Sequence, residues 1–175
     1  APSLVGSEMC IRDRYKVLVI NRLSLVDPKQ LGRSIVNRLT EPLEYLYQKG
    51  LVEFEVFNPE NITYKILEIK KFDVVFINKS CDQLTLEAAR IIDSLKIKII
   101  YDLDDNIFEF PSYSNGSSEN KSIGLEILKI SSKIITCNLP LERLIWKHLK
   151  KRTTIIEHGI NCLLYTSDAA DEHGC

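Results

Sequence analysis

The chain has 175 residues, of which 45% are hydrophobic and 27% charged, with 7 glycines, 6 prolines and a formal net charge of −1. That composition excludes wholesale disorder, and no apolar run approaches the ~18 residues of a membrane span. The length suits about one domain, able to bury roughly 70% of its unfolded surface without a disulfide or metal staple.

The two ends stand apart. Residues 3–13 read SLVGSEMCIRD and residues 162–172 read CLLYTSDAADE. Both strings resemble translated sequencing-adapter DNA of the kind left on untrimmed metagenomic reads. The resemblance implies that 1–13 and 162–175 are artefacts and that 14–161 is the domain. This core carries 22 Lys and Arg against 19 Asp and Glu, a net charge of +3. It is mildly basic, with no basic stripe interleaved with aromatics, so no nucleic-acid partner is expected. The core also keeps only Cys81 and Cys137. Two lone thiols without metal spacing predict a reducing, cytoplasmic compartment.

Lys16 to Asn21 is a short apolar, β-branched run and predicts the first strand. A loop holding Asp27-Pro28 follows. Val36, Leu39, Leu43, Leu46 and Tyr47 then recur at helical spacing, predicting a helix over 33–49. Pro42 falls inside it and predicts a kink or a late start, and Gly50 a stop. Residues 52–57 alternate as a second strand, and 60–70 read as a weak helix. Residues 73–78, apolar almost throughout, predict a central third strand. A helix over 82–96 and a strand over 97–101 follow. The polar stretch 112–120 reads as a surface loop. A helix over 123–130, a strand over 133–137, a helix capped by Asn138 and running to about 151, and a strand over 153–156 complete the core. Strands alternating with helices predict a single-domain α/β fold. Its mostly parallel, doubly wound, Rossmann-like sheet has about six strands.

Ligands of such sheets bind beyond the carboxyl ends of the strands. Three groups fall there. Asp102, Asp104 and Asp105 crowd three carboxylates into four residues just after the fourth strand. That pattern accepts amide hydrogen bonds, binds a cation or performs acid–base chemistry, or else caps a turn. Gly32, Arg33 and Ser34 open the first helix, an arrangement suited to an anion, with Arg33 or Arg38 adding charge. Neither a dinucleotide nor a P-loop fingerprint is present. Glu157 and His158 end the last strand and offer acid–base or hydroxyl-binding groups. Lys79, after the third strand, faces the same edge. Trp146 reads as core or as a domain contact.

The order of these features resembles the N-terminal domain of a GT-B fold glycosyltransferase of the group 1 class. KVLVIN at 16–21, the loop with Gly32 and the helix with Arg38 and Pro42 come first. FDVVFINK at 72–79, KIIYDLDDNIFEFP at 98–111, SSKIITCNLPLERLI at 131–145 and TTIIEHGIN at 153–161 follow. The last string stands where relatives more often end P-N-G-I-D; here Glu157-His158 and Asn161 replace three of those residues. The resemblance implies a two-domain enzyme whose donor-binding domain would begin past Asn161. The missing domain, and a glycan or lipid-linked acceptor, are the implied partners. A nucleotide-sugar is co-substrate and no cofactor is needed. Gly32, Arg33 and Arg38 are the candidates facing the leaving phosphate. Asp102, Asp104 and His158 are those orienting or deprotonating the acceptor. Lys79, Asp105 and Glu157 are further substrate-binding candidates. The fragment alone is expected to be inactive, with an apolar or poorly covered surface between Trp146 and Asn161. A lipid-linked acceptor would bring the protein to the inner face of the membrane.

Two alternatives stay open. IIYDLDDNIF is similar to the first motif of haloacid-dehalogenase-like phosphatases, with Asp102 as nucleophile and Asp104 as acid–base group around Mg²⁺. Asn106 stands where that motif expects Thr. A non-catalytic Rossmann-like binding module is the other.

Overall fold

The computed structural model describes residues 14–21, 35–109 and 117–157. Among these residues six strands form one sheet: β1 (Tyr15–Ile20), β2 (Val52–Phe57), β3 (Val74–Asn78), β4 (Lys98–Leu103), β5 (Lys133–Thr136) and β6 (Thr154–Ile155). Their order is β2-β1-β3-β4-β5-β6 and every pairing is parallel. Among the described residues five α-helices lie between them: α1 (Glu41–Gln48), α2 (Ile66–Ile69), α3 (Gln83–Ser94), α4 (Ser118–Ile130) and α5 (Leu139–Leu149). The predicted Rossmann-like fold is the one observed, in the flavodoxin-like strand order.

Strand alternation divides the core in two. Leu18, Ile20, Val75, Ile77, Ile99, Tyr101 and Leu103 face a cluster that includes Leu86 of α3, Ile127 of α4 and Ile145 of α5. Val17 and Val19 point the other way, onto Ile35, Leu39 and Leu43. Helices therefore cover both faces, as a parallel sheet requires.

Local chemistry explains where elements begin. Asp82 accepts the Thr85 amide at 3.1 Å and starts α3. Asn138 does the same for Leu141 at 3.0 Å and starts α5, with Pro140 in the first turn. Gly50, at φ +71°, turns the chain from α1 into β2.

Four expectations shift. The first helix does not run smoothly through Pro42; a π-helical turn over Val36–Thr40 precedes α1. Proline has no N–H to offer the Arg38 carbonyl and its ring would crowd it, and the wider turn relieves both problems. The weak helix over 60–70 is a 3₁₀ turn (Pro59–Asn61) and the single turn of α2. β4 runs two residues beyond Tyr101, so Asp102 lies within the strand. α4 begins at Ser118, not 123, because Ser117 and Asn120 form a reciprocal capping box.

Candidate functional site

The first crossover leads from β1 outward to β2; the chain then returns past β1 and adds β3 to β6 on the other side. The winding direction reverses between β1 and β3, which creates a crevice at their carboxyl ends. Asn78 ends β3 at that crevice and Lys79 follows it.

Asp102 pairs in register with Asn78 across the β3–β4 ladder. Tyr101 and Leu103 point into the larger cluster, so alternation sends Asp102 to the opposite face, beneath the π turn. There Arg38 meets it. Arg38 Nε donates to Oδ2 at 2.7 Å and Nη2 to Oδ1 at 2.5 Å. Asn78 Nδ2 donates to the same Oδ2 at 2.8 Å. The two charged side chains are 5% and 1% exposed. Arg38 Nη1 also donates to the Ile156 carbonyl at 3.2 Å. One guanidinium thus joins the first crossover, β4 and the segment after β6. The hydrogen bonds to Asp102 raise the Arg38 pKa against the opposing effect of burial, with the charges of Asp102 and Asp104 adding to the rise.

A second polar group lies beside the first. Lys79 adopts φ +30°, a left-handed conformation uncommon for a residue with a side chain. Its amide donates to the Asp102 carbonyl at 2.8 Å. Its Nζ donates to Asp105 Oδ2 at 2.7 Å and lies 3.7 Å from Asp104 Oδ1. Burial works to lower the Lys79 pKa; the hydrogen bond to Asp105 and the Asp104 charge outweigh it, and the net shift is upward. The Lys79 side chain is 39% exposed, Asp105 67% and Asp104 6%. Lys79 and Asp105 are therefore the groups here that meet solvent.

The neighbouring turns are held from below. The buried Tyr101 hydroxyl donates to the Ser80 carbonyl at 2.9 Å, and burial pushes the phenol well above its ordinary range. The Cys137 thiol donates to the Asp104 carbonyl at 3.4 Å; burial raises its pKa, with Arg38 pulling against the rise. Asn106 accepts the Phe108 amide at 2.9 Å, an Asx turn that continues the acidic segment.

Six of the predicted site residues are described and three are not. Arg38 and Asp102 pair with each other rather than face the crevice. Lys79, Asp104 and Asp105 form a separate cluster. Glu157 is exposed, next to the Ile156 carbonyl that Arg38 holds. Gly32, Arg33 and His158 lie outside the described residues. Asn78, 3% exposed, was missed. Its signal is a carboxamide closing an otherwise apolar strand at the ligand-binding edge.

No protein-family model matches the chain, and no curated protein matches it. Among solved structures it is similar to a CheY-like response regulator protein from Mesorhizobium loti. The identity is 13% and the TM-score 0.38, over 77% of this chain and 98% of that one. A likeness this distant carries no argument about activity.

Proposed function

We propose that residues 14–161 form the acceptor-side domain of a GT-B glycosyltransferase of the hexosyl type. The parent enzyme would move a sugar from a nucleotide-sugar to a glycan or lipid-linked acceptor. A donor-binding domain would lie outside this chain, and the chain alone would be inactive. A cytoplasmic location, at the inner face of the membrane, is proposed with it.

The observation that carries this reading is the polar cluster at the switch-point crevice, with Lys79 and Asp105 open to solvent beside Asp104. A sugar leaving a nucleoside diphosphate builds negative charge on the phosphate, which a positioned cation stabilises. Lys79 supplies that cation. The acceptor hydroxyl needs a hydrogen-bond acceptor to orient it, and the exposed Asp105 supplies that carboxylate, while the buried Asp104 lies beside Lys79. Asp102 and Arg38 are positioning residues: their mutual bonds fix the β4 end from which Asp104 and Asp105 project.

The phosphatase reading asks Asp102 to attack phosphorus. That carboxylate is 1% exposed and both its oxygens accept hydrogen bonds from Arg38 or Asn78. Such a group has no open approach for a substrate. No set of three His, Cys, Asp or Glu side chains converges for a metal among the described residues.

The test is to recover the source DNA, express the continuous reading frame and measure nucleoside diphosphate release from a panel of nucleotide-sugars. Turnover by the full frame, weakened in Asp105→Asn and in Lys79→Ala, is expected. Sugar transfer by residues 14–161 alone would overturn the half-site reading. No turnover of any nucleotide-sugar by the full frame would overturn the transferase reading. Unchanged turnover in both variants would leave the domain as a binding module.

A further inference from the structure

The segment 129–152 concentrates charge of one sign. Lys129, Lys133, Arg143, Lys147, Lys150, Lys151 and Arg152 stand against Glu142 alone. The chain as a whole has a net charge of −1. Much of this segment is α5 and the turn after it. Ile145 and Leu141 bury one face of α5 against the sheet. Leu139, Arg143, Trp146 and Lys150 recur at intervals of four, three and four and therefore share the opposite stripe. All four are exposed; Leu139 is 53% and Trp146 47% open to solvent. The Lys150 ammonium lies 6.0 Å from the centre of the Trp146 ring. A shallow groove of about 260 Å³ runs beside this stripe, closed by Lys151 and Arg152.

An exposed indole and leucine ringed by cations match the headgroup region of a membrane. There the rings sit at the polar boundary and the cations meet anionic lipid. Leu139 and Trp146 line the groove together with Arg143, Lys151, Arg152 and a single carboxylate, Glu142. The charges surround it on two helical turns and the following loop, a broad and shallow field suited to a plane of headgroups. No described helix is long and apolar enough to cross a membrane; the contact is peripheral in kind.

From these observations we infer that the outer face of α5 and the turn at 150–152 dock on an anionic lipid bilayer. Trp146 enters the interface, and Arg143, Lys147, Lys150 and Arg152 meet the headgroups. The inference rests on the membrane location proposed with the transferase reading and names the surface that makes the contact; its test requires neither a donor nor an acceptor, so it can fail while turnover stands.

Trp146 is the only tryptophan in the chain, so its emission reports on this face directly. The full chain would be titrated with vesicles of phosphatidylcholine alone, and with vesicles in which about a third of the lipid is phosphatidylglycerol. Trp146 emission should shift to the blue only with the anionic vesicles, and added salt should reverse the shift. Lys147→Glu/Lys150→Glu should weaken partition by about tenfold or more, given the contribution of each surface cation. Lys70→Glu/Lys71→Glu, a control at the other end of the sheet, should not. No shift with anionic vesicles, equal binding to neutral ones, or equal losses in both double variants would overturn the inference. So would emission that is already blue and shielded from acrylamide before lipid is added, which would mean that polypeptide covers the face.

Discussion

Arg38 closes on both carboxylate oxygens of Asp102 across 64 residues of sequence, at 2.5 and 2.7 Å, with almost no solvent at either side chain. A buried bidentate pair of this kind fixes geometry more than it adds net stability, because desolvation offsets much of the attraction. Removing one partner is a different matter, since it strands a charge. Arg38→Met should therefore cost about 3–5 kcal/mol in urea unfolding. Asp102→Leu should cost a similar amount. The double replacement should cost clearly less than the two together, and additive losses would show that the pair is not coupled.

Lys79 separates a backbone effect from a side-chain effect. Its φ of +30° favours glycine, and its ammonium bonds Asp105. Lys79→Gly should be more stable than Lys79→Ala by about 1 kcal/mol, because both lose the ion pair but only glycine relaxes the backbone. Comparing the two urea midpoints checks this. The raised pKa also sets a pH window. A folded-state pKa above the ordinary 10.5 means that the ion pair contributes fully below that value and is lost as pH rises through the folded pKa. Between pH 6 and 9 the difference between wild type and Lys79→Ala should stay flat, and it should shrink only in strong alkali.

Much of this architecture was legible because strands and helices write different periods. The run 73–78 announced a central strand, and it lies third of six. Asn138 and Gly50 announced a helix start and a helix end by their own chemistry. The candidate site was less legible. Asp102, Asp104 and Asp105 read as one acidic cluster, yet two further residues of strand place Asp102 on one face and hand it to Arg38. Sequence spacing gives no sign of that extension, since it depends on pairing with Asn78 and Ile135. Nor could Arg38 be paired with Asp102 in advance. Its direction depends on a π turn that Pro42 provokes several residues later.

Lys151 closes a helix to which it does not belong. Its Nζ donates to the carbonyls of Leu128 at 3.0 Å and Ser131 at 2.9 Å, and to that of Lys129. Leu128 and Lys129 lie in the last turn of α4 and Ser131 is its C-cap, so these carbonyls find no partner within the helix, and the ammonium also opposes the negative end of the helix dipole. Lys151→Met keeps most of the aliphatic stem but leaves those acceptors without the cation, at a cost of about 1–3 kcal/mol. Hydrogen exchange should locate the loss in the last turn of α4. A uniform loss of protection across the sheet would contradict this assignment.

Gly124 sits in the middle of α4, where alanine would normally add about 1 kcal/mol of helix stability. A Cβ placed there would lie 2.6 Å from the Ile107 δ-methyl and 3.4 Å from Cys81 Cβ. Ile107 is 3% exposed, so its methyl has little room to withdraw. Overpacking of this order costs about 1–3 kcal/mol, enough to cancel the helical gain. Gly124→Ala should thus be neutral or destabilising, whereas Gly124→Ala/Ile107→Val removes the colliding methyl and should recover the gain. In a double-mutant cycle read by thermal unfolding, the coupling should be favourable by about 1 kcal/mol. Zero coupling would mean that the close approach of α4 to the segment after β4 is not what keeps this position glycine.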